Sequence, residues 1–333
     1  MHSFNYQLLS IAPMIDWTYS HFRVFMRLLA PHALLYTEMQ TTGAIKNNPQ
    51  RALSYQPLEH PIALQLGGSE IDALVDAAKS GEQAGYDEIN LNLGCPSDKV
   101  QAGRFGACLM KEADHVAECI KSLRNAVAIP VSAKIRIGID DQDSYEFFSD
   151  FAHQLVNAGC QKLIVHARKA WLQGLSPKQN RTIPPVNYDY VYQIKKEIPD
   201  IPVIINGNVS KITDIQHHLS EVDGVMLGRL ACDNPYEIAK IHQVLYPAVN
   251  LSSRSNVFTQ YREHIETEYD KGVSLSILVK PIFNLASGLP GSRQWKKKLM
   301  YFLQSKNVAD LCELSKYLKD IDTELKTEHV SSF

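Results

Sequence analysis

Eight short, mostly aliphatic runs alternate with stretches of helical spacing along the first two thirds of the chain. The runs lie at 9–14, 33–39, 62–68, 88–94, 130–138, 162–168, 202–208 and 224–230. Because strands that alternate with helices build parallel sheets, this order predicts an α/β fold, a closed (β/α)8 TIM barrel. An open doubly wound sheet is the alternative, but no G-x-G-x-x-G follows the first run.

The character of the sequence changes after residue 246. The segment "PAVNLSSRSN" is typical of a linker, and strand-poor sequence with helical spacing follows it. We therefore predict two domains, a catalytic barrel over 1–246 and a smaller all-α domain over 247–333. The tail, from residue 326, is predicted to be frayed.

Composition indicates an ordinary globular protein of a reducing compartment. The six cysteines are scattered and form no C-x-x-C pair, which argues against a structural zinc site and a disulfide framework. We find no signal peptide and no apolar run of the roughly 20 residues that span a bilayer, so we expect a cytoplasmic protein. The net charge of −2 neither suggests nor excludes a polyanionic partner.

Polar residues stand where most of the predicted strands end, although a barrel core requires apolar ones there. Active sites of this fold lie at the carboxyl ends of the strands. The residues concerned are Gln65, Asn92, Cys95, Lys134, Arg136, His166, Arg168, Asn206, Asn208 and Arg229. Their convergence predicts a binding or catalytic site.

Glycine-rich ends of the last two runs suggest a phosphate site. "NGN" at 206–208 and "GR" at 228–229 combine backbone N–H groups with one guanidinium. Each alone is equally compatible with an ordinary tight turn, but this fold often binds phosphate after strands seven and eight.

Three side chains have open roles on the sequence alone. Lys134 lies in an apolar run, where it is a salt-bridged lysine, a Schiff-base nucleophile or a cation beside an electron-rich ring. His166 is equally compatible with a core histidine. Cys95 lies in a Gly-Cys-Pro turn that Pro96 stiffens, and is a nucleophile, a proton donor or a bystander.

Together these motifs resemble the tRNA-dihydrouridine synthases over essentially the whole chain. The segments that carry the resemblance are "APM" (12–14), "NLGCPSDKVQAGRFGACLM" (92–110), "KIRIG" (134–138), "HAR" (166–168), "INGN" (205–208) and "LGR" (227–229). The segments "DWTYSHFR" (16–23), "YTEMQTTGAI" (36–45) and "SGLPGSRQWKK" (287–297) resemble the bacterial A type of that family.

The resemblance implies an FMN enzyme that uses NADPH to reduce the C5–C6 bond of uridines 20 and 20a in the tRNA D loop. It implies FMN contacts for Ala12, Pro13, Met14, Gln65, Lys134, His166, Asn206, Gly207, Asn208, Gly228 and Arg229. Lys134 would lie near N1 and O2 of the flavin. Asn92 would orient the uracil, and Cys95 would protonate C5 as flavin N5 gives hydride to C6. The uracil must leave its stack to reach such a pocket.

Basic residues next to aromatic ones suggest where tRNA binds. We carry over Arg168, Lys178 and Arg181, which lie near Trp171 in sequence, and also Arg293 and Lys296 beside Trp295. Such patches suit phosphate contact with base stacking, but each is equally compatible with a solvated surface. We expect no membrane association, no metal and no obligate protein partner.

Three other functions fit parts of the pattern. A flavin-dependent reductase of the dihydroorotate dehydrogenase kind shares the phosphate site and the barrel lysine. A Schiff-base aldolase would use Lys134 without flavin, and a catalytically silent RNA-binding barrel would leave Cys95 and Lys134 without a role.

Overall fold

The structure is a computed structural model that describes residues 7–330, apart from the side chains of Lys99 and residues 324–330. The predicted strands form as β1 Leu9–Ile11, β2 Leu34–Tyr36, β3 Ile62–Gly67, β4 Glu88–Leu93, β5 Val131–Arg136, β6 Leu163–His166, β7 Val203–Asn206 and β8 Gly224–Leu227. A two-residue strand, Gln40–Thr41, also pairs with β3.

The strands pair in parallel and in sequence order around a closed ring. The ring closes because β1 pairs with β8 as well as with β2, through Leu9 opposite Val225, and because β2 pairs with β3, through Leu35 opposite Ile62. The predicted TIM barrel is therefore confirmed, and the open doubly wound sheet is excluded.

The α-helices follow in chain order. They are α1 Ser20–Leu29, α2 Thr42–Asn47, α3 Pro49–Ala52, α4 Ile71–Gln83, α5 Asp98–Ala102, α6 Ala113–Ala126, α7 Tyr145–Asn157, α8 Asp189–Glu197, α9 Ile212–Glu221, α10 Arg229–Asp233, α11 Pro235–Leu245, α12 Arg254–Asp270, α13 Leu275–Val279, α14 Ser292–Ser305 and α15 Asp310–Val330. Short 3-10 turns occupy Pro57–Glu59, Gly106–Lys111, Gln179–Arg181 and Lys280–Ile282. None of the helices described combines the length and the apolar character that crossing a membrane requires.

The chain divides into two compact units at different positions from the predicted domains. The first unit comprises Met1–Ile15 and Leu34–Gly228, and the second comprises Asp16–Ala33 and Arg229–Phe333. Helix α1 belongs to the second unit because it packs on α11 and α12, where the rings of Phe25 and Tyr261 are 5.2 Å apart. The segment predicted to fray is helical through Val330, and residues 331–333 lie outside the described residues.

The barrel interior has an apolar sector and a polar sector. The apolar sector is formed by Ala12, Leu34, Tyr36, Ala63, Ile164, Ile204 and Met226. The polar sector lies along β3, β4 and β5, where Gln65, Glu88, Asn90 and Ser132 are all buried. Buried polar groups are costly unless they are hydrogen-bonded, so their partners, described below, are part of what holds the barrel together.

The second unit has its own core, and Trp295 lies at its centre. The side chain is fully buried, its Nε1–H donates to the carbonyl of Ile282 at 3.0 Å, and its ring meets Phe258 edge-on at 5.4 Å. An indole in such a position combines a large apolar area with one satisfied donor.

We expect Trp295→Phe to lower the free energy of unfolding of the second unit by about 1–3 kcal/mol, because it leaves the Ile282 carbonyl buried without its donor and removes packing volume. Urea unfolding followed by circular dichroism measures the change. Tyr301→Phe, at a side chain that is 63% exposed on the same helix, is the control and should leave the midpoint in place.

Candidate active site

The carboxyl ends of the strands bring the predicted residues of the first unit to one end of the barrel. Gln65, Asn92 and Lys134 lie near the ends of β3, β4 and β5, and His166 and Asn206 end β6 and β7. Pairing of β4 with β5 places Asn92 opposite Lys134, and pairing of β6 with β7 places His166 opposite Asn206. The strand register alone therefore assembles these five side chains.

The segment 12–14 contributes backbone and one apolar side chain. The N–H of Ala12 donates to the carbonyl of Leu227 at 2.8 Å, which fixes the exit of β1 against the end of β8. Met14 packs on the apolar sector of the interior, and Pro13 between them is half-buried. This segment is therefore fixed at the carboxyl end of β1 by the hydrogen bond to Leu227 and by the packing of Met14.

Cys95 is held in its turn by Asn92. The Asn92 Oδ1 accepts the backbone N–H of Gly94 at 3.2 Å and that of Cys95 at 3.1 Å. The thiol is partly exposed, and its Sγ lies 3.6 Å from the hydroxyl oxygen of Ser97. A positioned, accessible thiol suits proton transfer better than it suits core packing.

A glycine holds the other side of this turn. Gly106 has φ of +77°, and a Cβ there would come within 2.6 Å of the Cys95 carbonyl oxygen and would also collide with Val100. The close approach lets the N–H of Ala107 donate to that carbonyl at 2.9 Å. Only glycine combines this φ with this contact, which gives a physical reason for the "FGAC" segment behind the cysteine.

Lys134 is a cation without a carboxylate partner among the described residues. Its Nζ donates to Asn206 Oδ1 at 3.2 Å, and no carboxylate oxygen of the described residues lies within ion-pair distance of it. Burial, and next the positive charge of Arg136, lower the pKa of Lys134 to about 7. The salt-bridged interpretation of this lysine is therefore wrong, and the amine is available to a ligand.

Arg136 joins three segments around the mouth. Its Nε donates to the Gly94 carbonyl at 3.0 Å, and its Nη1 donates to the carbonyls of Lys169 and Asn180 at 3.1 and 3.0 Å. The side chain is 3% exposed, and burial lowers its pKa to about 10, which leaves it charged at pH 7. It therefore fixes the cysteine turn and the loop after β6 to the end of β5.

His166 is neutral in this environment. Burial lowers its pKa well below the ordinary value, and the charged groups that lower it further are all cations: Arg136, Lys134, Arg168 and Arg181. A neutral imidazole offers one donor and one acceptor. At the barrel mouth, positively charged side chains therefore surround the neutral imidazole of His166. This arrangement favours an anionic ligand with polar edges.

The segment 206–208 has the backbone conformation of a tight turn. Gly207 and Asn208 have φ of +120° and +56°, and a Cβ on Gly207 would come within 2.8 Å of His166 Cδ2. The hydroxyl of Tyr188 donates to the Gly207 carbonyl at 2.8 Å. Gly228 ends the first unit, where a Cβ would lie 3.6 Å from Ala12.

Arg229 comes directly after Gly228 but starts α10 and belongs to the second unit. Its side chain is exposed. The expectation that it binds phosphate stays a prediction.

The residues predicted to contact tRNA differ in exposure. Lys178 and Arg181 are exposed on the loop after β6, and on α14 Arg293 is exposed while Lys296 is half-buried. Arg168 is 6% exposed, and its guanidinium donates to the carbonyls of Thr182 and Pro184. Arg168 therefore holds the loop in place, and it is less able to contact tRNA directly than the other four residues are.

Nothing in the sequence indicated that Asn180 holds the loop after β6 together through its hydrogen bonds. Asn180 is fully buried, accepts the N–H of Trp171 at 2.8 Å and donates to the carbonyls of Trp171 and Leu175. An asparagine in a polar loop gives no signal of burial, so only the fold identifies it. Arg136 was visible at its strand end, but its three-way contact was not.

The donor set at the barrel mouth fits an organic anion better than it fits a metal ion. Among the described residues, no three His, Cys, Asp or Glu side chains gather where they could hold a metal ion. Cations surround His166, amides line the strand ends, and at the turn at Gly207 a side chain would collide with His166. This arrangement suits a planar anionic ligand with polar edges.

A family model described as dihydrouridine synthase matches residues 10–322 of the chain. The chain belongs to the dihydrouridine synthase family. It is 50% identical over 291 residues to the tRNA-dihydrouridine(20/20a) synthase of Shewanella oneidensis, covering 87% of each chain. The protein of that name from Yersinia pestis is 50% identical over 295 residues, 88% of this chain and 86% of the relative.

Similarity also extends to the protein so named from Synechocystis, at 49% identity over 293 residues, 87% of this chain and 88% of the relative. Among solved structures, morphinone reductase in complex with tetrahydroNAD superposes with a TM-score of 0.50 at 12% identity, covering 74% of this chain and 88% of that one. That similarity supports the barrel fold alone.

Replacing Lys134 and replacing Lys162 by methionine should shift the unfolding midpoint of this dihydrouridine synthase barrel in opposite directions. Lys134 has a pKa of about 7 in the folded chain and about 10.4 when unfolded, so the unfolded chain binds more protons between these values. Stability due to this group therefore rises as pH increases from 7 towards 10, and the charged lysine is destabilising below pH 7. We expect Lys134→Met to raise the unfolding midpoint at pH 6 and to weaken flavin binding.

Lys162→Met is the matched control, because Lys162 forms an ion pair with Glu88 and both side chains are buried. Removing one partner of a buried pair destabilises by roughly 3–5 kcal/mol. Differential scanning calorimetry at pH 6 measures both variants. A lower midpoint for Lys134→Met would contradict the low pKa of Lys134.

Proposed function

We propose that this dihydrouridine synthase uses FMN and NADPH to reduce the C5–C6 bond of uridines 20 and 20a in the D loop of tRNA. The observation that carries the proposal is the partly exposed Cys95 thiol, whose turn Asn92 holds near the cations that surround His166. The names of relatives that are half identical over most of their length support the substrate.

The residues that would hold FMN are those expected from the sequence. They are Ala12, Pro13, Met14, Gln65, Lys134, His166, Asn206, Gly207, Asn208, Gly228 and Arg229. FMN, when bound and reduced by NADPH, supplies the hydride for C6 of the uracil.

The chain itself supplies charge and a proton. Lys134, near N1 and O2 of the ring, would balance the negative charge of the reduced form, and burial makes such a charge more effective. Asn92 would orient the uracil, which has to leave its stack to enter the barrel mouth. Cys95 would hold the proton at Sγ and deliver it to C5, because hydride addition at C6 leaves negative charge that C5 and O4 share.

Binding of tRNA would use exposed cations on both units. Lys178 and Arg181 are exposed on the loop after β6 of the first unit, and Arg293 and Lys296 lie on α14 of the second. Contacts of this type position the RNA through its phosphates without reading its sequence. Arg168 would act mainly by holding the loop that carries the first two.

An anaerobic experiment tests the function. NADPH reduces the purified protein, unmodified tRNA is added, and flavin reoxidation is followed together with dihydrouridine formation. Rapid reoxidation with product supports the proposal. Transfer of electrons to a free pyrimidine but not to tRNA would favour the small-molecule reductase, and trapping of a carbonyl compound on Lys134 by borohydride would favour the aldolase. A protein that stays colourless when loaded with FMN would contradict all flavin chemistry.

Cys95→Ala should bind flavin and oxidise NADPH normally but reduce uridine about 10²–10⁴-fold more slowly, because only the general acid is lost. Single-turnover dihydrouridine formation measures the rate. Cys108→Ala is the matched control, since that thiol is also partly exposed but donates to the carbonyl of Phe105 at 3.2 Å. Unchanged turnover of Cys95→Ala would refute the proton-donor role.

Arg293→Ala should weaken tRNA binding and reduce the slope of log K against log salt by about one, while flavin content stays the same. Filter binding at several salt concentrations measures the slope. Lys271→Ala removes the same charge from a lysine that is paired with Glu268 at 2.8 Å, and should change the slope less. Equal slopes for Arg293→Ala and wild type would show that no phosphate contact is made there.

A further inference from the structure

Five inward-facing side chains form a continuous hydrogen-bonded path through the polar sector of the barrel. This interior polar network consists of Glu88, Ser132, Asn90, Gln65 and Asn92. Its members are between 0% and 9% exposed. The network follows from strand register, because Gln65 pairs with Asn90 across β3 and β4, and Asn90 pairs with Ser132 across β4 and β5.

Every bond in the interior polar network points the same way. Asn92 Nδ2 donates to Gln65 Oε1 at 2.8 Å, and Gln65 Nε2 donates to Asn90 Oδ1 at 2.8 Å. Asn90 Nδ2 donates to the Ser132 hydroxyl at 2.7 Å. That hydroxyl donates to Glu88 Oε1 at 2.5 Å.

The two ends of the network permit no other direction. At one end a carboxylate can only accept, and at the other the backbone N–H groups of Gly94 and Cys95 can only donate. If the amides turned over, the Asn92 NH2 would face those two N–H groups and lose both bonds. The orientation of each amide is therefore decided by the chemistry of the ends.

Glu88 is well suited to fix the first end. Lys162 forms an ion pair with its Oε2, and the hydroxyl of Tyr36 donates to its Oε1 at 3.0 Å. These partners hold the carboxylate in place, so Ser132 always meets an acceptor. Because the Glu88 carboxylate can only accept, it fixes the orientation of the Ser132 hydroxyl and, through it, of the Asn90, Gln65 and Asn92 amides.

We propose that Glu88, Ser132 and Asn90 are positioning residues that act through Gln65 and Asn92 to hold the Cys95 turn in its working geometry, an inference that rests on the proposed function. Preorganised dipoles contribute to catalysis because they need no reorientation during the reaction. A uracil held by Asn92 would meet a fixed arrangement of donor and acceptor, and the thiol would meet C5 at a fixed position.

Ser132→Ala removes the link between the carboxylate and the amides. The matched control is Ser10→Ala, which also deletes a buried strand hydroxyl, one that donates to the Val225 carbonyl at 3.4 Å outside the network. Two readouts are compared on the purified full chain, the rate of iodoacetamide alkylation of Cys95, followed by peptide mass spectrometry, and the steady-state kinetics with tRNA.

In Ser132→Ala we expect alkylation of Cys95 to accelerate about threefold or more, and kcat to fall roughly tenfold at nearly unchanged KM. Ser10→Ala should match wild type in both. A merely structural role of Ser132 would lower the melting temperature of Ser132→Ala but leave its alkylation rate and kcat at the wild-type values, which would overturn the proposal.

Glu88→Gln provides a second, independent test that keeps the shape of the side chain. Lys162 can only donate, so the new amide oxygen would face it and the NH2 would face Ser132, which takes the acceptor away from the Ser132 hydroxyl and leaves the direction of the network unfixed at this end. The same faster alkylation is expected, and an unchanged rate would contradict the proposal. If wild type makes no dihydrouridine, the proposed function fails, whereas the alkylation contrast needs no turnover and still decides the orienting role.

Discussion

The Arg136 guanidinium is the interaction on which the barrel mouth depends. It binds carbonyls from the turn after β4, from the segment after β6 and from the 3-10 turn that follows. These three segments have no other common partner among the contacts described, and each carries part of the candidate site. A buried guanidinium that serves only neutral carbonyls keeps its full positive charge, so the same group that positions the mouth also makes it electropositive.

That charge explains the behaviour of its neighbours. Lys134 and His166 both have lowered pKa values, because burial and nearby cations disfavour another positive charge. The charged groups that shift the pKa of His166 are all cations, and such an excess of positive charge is stabilised by an anion.

The strands of the barrel and several side chains of the candidate site could be predicted from the sequence. The eight runs gave the correct strands because a parallel sheet that is buried on both faces leaves long aliphatic segments, and Gln65, Asn92, Lys134 and His166 were recognisable as polar exceptions within them. The predicted unit boundary differed because α1 and α11 pack with the helical unit, and amphipathic spacing does not tell which partner a face will meet. Asn180 and the burial of Arg168 were hidden for a related reason, since a loop sequence carries no periodicity from which burial could be inferred.

The polar sector also bears on how such a barrel assembles. Asn90 finds its partners on two different strands, Gln65 on β3 and Ser132 on β5, and Glu88 needs Lys162 near the start of β6. An intermediate that lacked any of these strands would bury donors and acceptors without partners, at a cost of about 1–3 kcal/mol for each. A purely aliphatic interior would leave no polar group unpaired in such an intermediate, whereas this interior would. The interior polar network therefore favours formation of β3 to β6 together, so the same side chains that link these strands also carry the amides at the candidate site.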